Sequence, residues 1–224
     1  MEAREVLKHV DHTELMQNAK WEDIQRLCDD AVYYNTASIC IPPAYVKQAA
    51  EYLGDKMAVC TVIGFPHGYN TTATTVFEVK DAIANGAKEV DMVINIGWAK
   101  DGKFDAITEE IKALKEAAGD KILKVIIETA MLTDEEKIAL CKCVTDGGAD
   151  FIKTCTGFGG GKATVEDINL FKAHIGPNVR MKASSGMTTL DEGAVFVEMG
   201  CERLGSKLLV NIAKADGVSV EGGY

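Results

Sequence analysis

The chain has 224 residues, of which 47% are hydrophobic and 26% are charged, and its net charge is −10. This composition is typical of a soluble globular protein, and the negative charge argues against nucleic acid as a partner because phosphate backbones favour basic surfaces. No apolar run approaches the roughly 18 residues of a membrane span and the N-terminus lacks a signal-peptide pattern, so we expect no membrane partner and a cytoplasmic location.

Short apolar segments rich in Val and Ile recur along the chain and predict eight strands, with helical spacing between most of them. Strands that alternate with helices form a parallel sheet, and eight such units can close into a barrel. We predict an α/β protein with a single (β/α)8 TIM barrel domain over residues 1–224 and a flexible tail at about 216–224. A doubly wound open sheet is the alternative. The predicted strands lie near residues 8–13, 36–41, 57–64, 89–95, 121–128, 150–155, 178–184 and 202–206.

Helix boundaries carry their own signals. Segments 133–136 and 189–192 each place a threonine three residues before a glutamate, the pattern of a capping box at a helix start. Segments 85–87, 146–149 and 199–201 contain glycines that we predict to end a helix before the next strand.

The cysteines are seven in number, without the spacing of a disulfide framework, and so predict reduced thiols. Cys141 and Cys143 form the only close pair. They lack a second pair or a histidine cluster, so we predict no metal site there.

Charged side chains interrupt several of the predicted strands. Alternation places them on one face of each strand, which we predict to be the barrel interior at strands 4 to 7. An ion-pair network of purely structural value is one reading, and a catalytic site at the carboxyl end of the barrel is the other. The residues are Asp91, Lys124, Glu128, Lys153 and Lys182.

Lys153 is the candidate nucleophile. A free lysine, with a pKa of about 10.4, is only about 0.04% neutral at pH 7, but burial and a neighbouring cation both favour the neutral amine. We predict that Lys182, on the adjacent strand, is that cation. A neutral lysine adds to a carbonyl to form an imine, and a carboxylate such as Asp91 would then move protons through a water molecule.

The chain resembles the deoxyribose-phosphate aldolase family. The resemblance runs in order from about residue 8 to 210 and rests on a specific set of motifs. These are Asp11-His12-Thr13, Val62-Ile63-Gly64-Phe65-Pro66, Glu89-Val90-Asp91-Met92-Val93-Ile94-Asn95, Lys124-Val125-Ile126-Ile127-Glu128-Thr129, Phe151-Ile152-Lys153-Thr154 and Lys182-Ala183-Ser184.

Membership would imply a class I aldolase without metal or other cofactor that interconverts 2-deoxy-D-ribose 5-phosphate with D-glyceraldehyde 3-phosphate and acetaldehyde. The family also suggests a homodimer. By matched position, Lys153 would carry the Schiff base, Lys182 would be the second lysine and Asp91 the proton-relay acid. The resemblance also implies pocket residues, namely Asp11, Cys40, Lys124 and Gly157.

The phosphate end departs from the family pattern. After the second lysine the family usually has two glycines and then an arginine, and here Ser185 and Thr188 replace one glycine and the arginine. Later, Lys207 and Leu208 replace a serine pair. We expect phosphate to bind still, with altered geometry, through backbone N–H groups at a helix start and the charge of Lys207. The residues expected around it are Ser185, Gly186, Gly205, Ser206 and Lys207.

Two alternative functions stay open from the sequence. One is a related lysine-dependent aldolase with an altered or unphosphorylated acceptor, and the other is a noncatalytic barrel that binds sugar phosphates. The chain ends in Tyr224, as family members often do, and we predict that this phenol could act as a proton shuttle over the pocket.

Overall fold

A closed barrel of eight parallel strands forms the centre of the computed structural model, which describes residues 1–219. Strands adjacent in sequence are neighbours in the barrel, and the last strand pairs with the first. The closed order confirms the predicted TIM barrel and rules out the open-sheet alternative. The strands are β1 Val10–Thr13, β2 Ser38–Ile41, β3 Val59–Ile63, β4 Glu89–Val93, β5 Ile122–Ile126, β6 Phe151–Lys153, β7 Arg180–Ser184 and β8 Cys201–Ser206.

The helices cover the outside of this barrel. Within the described residues, no helix is long and apolar enough to cross a membrane. Tyr224 and the rest of segment 220–224 lie outside the described residues. The helices are α1 Ala3–Leu7, α2 Trp21–Tyr34, α3 Val46–Leu53, α4 Thr72–Ala84, α5 Ile96–Lys100, α6 Phe104–Ala118, α7 Asp134–Asp146, α8 Val165–His174, α9 Leu190–Glu198 and α10 Leu208–Ala215.

The main hydrophobic core lies between the strands and the surrounding helices. In β4, Val90 and Met92 are buried in this layer, and in β5 Leu123 and Val125 are buried with them. Burying such a side chain contributes about 1.5–3 kcal/mol. The alternate positions of the same strands face the barrel interior, so the outer layer supplies the stability that lets the interior hold charged groups.

The predicted helix signals hold in the structure. Thr133 and Thr189 each accept from a backbone N–H three residues on, and the glutamates at 136 and 192 complete both capping boxes. Gly86 has a φ of 106°, and a Cβ there would lie 2.6 Å from the Cβ of Ala50. A glycine is therefore required at this helix exit, both by backbone conformation and by space.

The prediction for Glu128 is wrong in one respect. Strand β5 ends at Ile126, and Glu128 has a left-handed backbone with φ 55° and ψ 65°. The alternation of side chains that would carry Glu128 onto the face of Lys124 stops where the extended backbone stops. Its carboxylate instead accepts from the backbone N–H and the hydroxyl of Thr156, in the loop after β6.

Candidate active site

Lys153 and Lys182 lie side by side on the inner face of the barrel. Lys153 ends β6 and Lys182 is the third residue of β7, and their Cα atoms are register partners in the parallel pair. Residues in register on neighbouring strands point to the same face of a sheet. The alternation in the sequence thus located both lysines correctly in the interior.

Asp91 of β4 joins these lysines. Its Oδ2 atom lies 2.8 Å from the Nζ atom of Lys153 and 2.8 Å from that of Lys182. Its Oδ1 atom lies 2.8 Å from the Nζ atom of Lys124 in β5. Burial disfavours an ionised carboxyl, but the three ammonium groups outweigh it and hold the pKa of Asp91 well below its usual value. Asp91 is thus an ionised carboxylate that bridges three lysines.

Asp11 of β1 is the second carboxylate on Lys182. It forms an ion pair with Lys182, lies 3.4 Å from the Nζ atom of Lys124 and accepts a hydrogen bond of 2.8 Å from the hydroxyl of Ser38. Burial opposes its ionised form, but Lys124 and Lys182 contribute most to holding the pKa of Asp11 below its usual value. In return, although burial disfavours the ammonium, Asp11 and Asp91 raise the pKa of Lys182 above its usual value. Lys182 is therefore a permanent cation at neutral pH.

Arg203 and Glu89 extend this cluster toward the amino end of the strands, and the sequence reading missed both. The Nε atom of Arg203 lies 3.1 Å from Asp11 Oδ1, and its Nη2 atom lies 3.1 Å from Glu89 Oε1. Glu89 Oε2 is 2.6 Å from the Nζ atom of Lys124. Alternation could have found them, since Glu89 is two residues before Asp91 in the same strand and Arg203 is two residues before a predicted pocket glycine.

Together these side chains form what we term the charged cluster. Within residues 1–219 it contains three carboxylates and four basic groups, so positive charges exceed negative ones by one when every group is ionised. Its members are Asp11, Glu89, Asp91, Lys124, Lys153, Lys182 and Arg203.

Two cysteine thiols border the charged cluster. Cys40 and Cys60 are register partners on β2 and β3, and the thiol of Cys60 donates to Asp91 Oδ1 at 3.2 Å. A hydrogen bond with Cys60 lowers the pKa of the Cys40 thiol. The two sulfur atoms and an oxygen of Asp91 lie within 4.8 Å of one another, a set that could coordinate a metal ion. The ammonium groups of Lys124 and Lys153 on the same carboxylate oppose a cation there.

A cavity of about 540 Å³ opens above the charged cluster. Of the cluster, only Lys153 lines it, whereas Lys124 and Lys182 are fully buried beneath. The predicted pocket residues divide in the same way, since Asp11, Cys40 and Lys124 lie below the cavity. Those that line it are Gly157, Ser185, Gly186, Gly205, Ser206 and Lys207.

The far end of the cavity differs from the expectation of free helix-start N–H groups. The hydroxyl of Ser206 accepts from the N–H groups of Leu208 and Leu209, at 3.0 and 3.2 Å. The carboxylate of Glu192 accepts from the N–H group of Thr188, at 2.6 Å, and from that of the next residue. These donors are therefore occupied within the chain. Lys207 is also occupied, because its ammonium forms an ion pair with Glu14.

Comparison with known proteins places this chain in a family. The model of the DeoC/LacD family of aldolases matches residues 5–201. A deoxyribose-phosphate aldolase of Clostridium botulinum (strain Alaska E43 / Type E3) is 56% identical over 96% of this chain and 98% of its own length. One of Streptococcus agalactiae (strain A909) is 52% identical over the full length of both chains.

A solved structure from Coccidioides immitis gives the same result for the fold. It is 38% identical, has a TM-score of 0.93, and the match covers 97% of this chain and 88% of that one. The sequence matches and the shared barrel fold agree: this chain is an enzyme that belongs to the DeoC/LacD family of aldolases.

Proposed function

We propose that this aldolase reversibly cleaves 2-deoxy-D-ribose 5-phosphate to D-glyceraldehyde 3-phosphate and acetaldehyde, through a Schiff base on Lys153. The observation that carries the proposal is the position of Lys153, which is the one member of the charged cluster that lines the cavity. The names of the relatives supply the substrate, and the buried lysines supply the chemistry.

The reaction requires Lys153 to attack as a neutral amine, and the charge balance of the cluster is compatible with the loss of one proton. One basic group in excess means that the loss of one proton leaves the cluster electrically balanced. Arg203 keeps its proton at any ordinary pH, and the carboxylates around them raise the pKa of both Lys124 and Lys182 despite burial. Among the described residues, Lys153 has only Asp91 within ion-pair distance, and it shares that carboxylate oxygen with Lys182.

The reaction then follows from imine chemistry. The neutral Nζ atom of Lys153 attacks the aldehyde carbon C1 of the open-chain sugar to give a carbinolamine. The hydroxyl of this carbinolamine takes up a proton delivered through water and leaves as water, which gives a protonated imine. A base removes the proton of the C3 hydroxyl, the C2–C3 bond breaks, and its electron pair moves toward the imine nitrogen to form an enamine. Glyceraldehyde 3-phosphate departs, C2 takes up a proton, and hydrolysis of the imine releases acetaldehyde and Lys153.

Asp91 is the proton carrier in this scheme. It is ionised at rest and lies 2.8 Å from Lys153, so it can accept a proton and return it to the reacting atoms through a water molecule. Lys182 remains charged and stabilises the carboxylate form between transfers. The protonated imine is itself the electron sink, so the chemistry requires neither a metal nor an organic cofactor.

Reductive trapping tests the proposal. The enzyme is incubated with acetaldehyde and borohydride, digested, and analysed by mass spectrometry, and we expect an ethyl group on Lys153. Lys153→Arg places a permanently charged guanidinium that cannot form an imine there, and should abolish both adduct and cleavage. An adduct on Lys182, or cleavage without any adduct, would contradict the assignment.

A further inference from the structure

An ion pair spans the wall of the cavity away from the charged cluster. Glu14 follows β1 directly and Lys207 directly precedes α10, and both residues line the cavity. The side chain of Glu14 is 11% exposed and that of Lys207 is 51% exposed, so the carboxylate is the more deeply placed partner. Its other oxygen, Oε1, accepts from the N–H group of Met16 at 3.0 Å, which fixes the carboxylate in place.

This pair neutralises the positive charge at that end of the cavity. Lys207 and Lys153 are the two basic side chains among the described lining residues, and in the proposed function Lys153 reacts with the carbonyl carbon at the other end. The carboxylate of Glu14 lines the same end of the cavity. A phosphate dianion would therefore meet a cation that already has a counter-ion, next to a fixed negative charge.

A hydroxyl group fits this pair better than a phosphate does. A hydroxyl both donates and accepts, so it can donate to the Glu14 carboxylate and accept from the Lys207 ammonium. A phosphate dianion offers acceptors only, so it can use Lys207 but is repelled by Glu14. The ion pair thus distinguishes the two substrate ends by hydrogen-bond type as well as by charge.

We propose that Glu14 is a specificity-determining residue that, with Lys207, weakens the preference of this aldolase for phosphorylated over hydroxyl-terminated substrates. The proposal rests on the function proposed above and concerns the opposite end of the same substrate. It makes 2-deoxyribose itself, and short hydroxyaldehydes as acceptors, the substrate class toward which Glu14 shifts the enzyme.

The test compares kcat/KM for 2-deoxyribose 5-phosphate with that for 2-deoxyribose in the wild type and in Glu14→Gln. Glutamine keeps an acceptor for Met16 but lacks the charge, and we expect the ratio of the two values to rise by about tenfold, the order expected for one charge at a partly exposed site. Lys207→Met should lower the ratio, because it leaves the carboxylate without its counter-ion. Glu109→Gln, which changes the net charge equally on the surface of α6, should leave the ratio unchanged. An unchanged or lower ratio in Glu14→Gln overturns the proposal.

Binding of inorganic phosphate gives a readout that does not depend on catalysis. By titration calorimetry we expect tighter binding to Glu14→Gln than to the wild type, with a gain that shrinks as the salt concentration rises. Glu14→Leu provides a second uncharged variant should the glutamine variant fold poorly. If neither sugar is cleaved but phosphate binding tightens, the proposed function fails and the role of Glu14 stands. If the sugars are cleaved but binding and ratio stay the same, the role of Glu14 fails alone.

Discussion

Lys153 and Lys182 share a single carboxylate oxygen, Asp91 Oδ2, which lies 2.8 Å from each ammonium nitrogen. The sequence predicted two neighbouring lysines in which the charge of one activates the other. The structure shows a carboxylate between them, so Lys182 does not act on Lys153 as a bare cation. The charged cluster as a whole holds one more basic group than acidic groups.

Lys182→Met tests the dependence of catalysis on this arrangement. The substitution leaves Asp11 and Asp91 with one cation fewer, and we expect kcat to fall by at least about a hundredfold, as for the loss of a fixed charge beside reacting groups. Removal of one partner from a buried ion pair also costs about 3–5 kcal/mol, so the free energy of unfolding must be measured in parallel. A variant that is folded and keeps wild-type kcat would contradict the role of Lys182.

Arg203→Met should destabilise the barrel by about 3 kcal/mol, because it removes the charged hydrogen bond to Glu89 and the ion pair with Asp11 and leaves both buried carboxylates with lysine partners alone. Arg180 provides the matched control, since both guanidinium groups lie over the ring of Phe151, that of Arg203 at 5.6 Å and that of Arg180 at 4.0 Å, but Arg180 faces a more exposed partner. Arg180→Met should cost no more than about 1–2 kcal/mol. Urea unfolding of the two variants gives the comparison, and equal losses would remove the special role of Arg203.

Gly205→Ala should displace the side chain of Lys182 or that of Ser184. A Cβ at residue 205 would lie 2.7 Å from the Cβ of Ser184 and 3.2 Å from the Cε of Lys182. One or both side chains must shift, and we expect kcat to fall more than tenfold, since displacements of about 1 Å at a reacting group can cost a hundredfold. Gly97→Ala, whose Cβ would meet only the side chain of Asn95 at 3.3 Å, is the control and should keep its activity.

The buried His12 predicts a loss of stability in mild acid. Burial lowers the pKa of His12 to about 4, against its ordinary value of 6.5, although Asp30 and Glu14 oppose this shift. Between these values the unfolded chain binds a proton that the folded chain does not, so stability is complete above pH 6.5 and falls as the pH drops toward 4. We expect a loss of about 2 kcal/mol between pH 7 and pH 5.

Urea unfolding at several pH values checks this expectation. Glutamine at position 12 does not titrate, so His12→Gln should have a flatter profile over that range even if it is less stable at pH 7. The carboxylates of Asp11 and Asp91 have lowered pKa values, and their contribution is lost at lower pH, below about 4. Equal slopes for wild type and variant would show that another group titrates.

The sequence predicted the parts of the site that follow from alternation along a strand. Asp91, Lys124, Lys153 and Lys182 lie within strands, where parity alone decides the face, and all four lie in the interior. The prediction for Glu128 was wrong because this residue lies two positions beyond the end of β5, where the backbone adopts a left-handed conformation. Local sequence carries no signal for that change.

Contacts between loops could not be predicted from the sequence, for a different reason. Glu14 and Lys207 follow different strands that meet only because β8 closes onto β1. Pairing of side chains beyond the strand ends has no period and depends on loop conformation, so the sequence indicated Lys207 as a free charge. The same applies to Glu192. Its capping role was predicted from its spacing, but its hydrogen bond with the backbone N–H group of Thr188 was not.

The members of the charged cluster lie far apart along the chain, and this affects how the chain folds during its synthesis. Asp11 is synthesised 171 residues before Lys182, its ion-pair partner, and Arg203 follows later still. A nascent chain that lacks the last two strands holds the three carboxylates of the cluster but only two of its basic groups, Lys124 and Lys153. Burying the cluster at that stage would leave one negative charge in excess, which costs free energy. The strands that close the barrel are therefore also the ones that bring the last two cations to its interior.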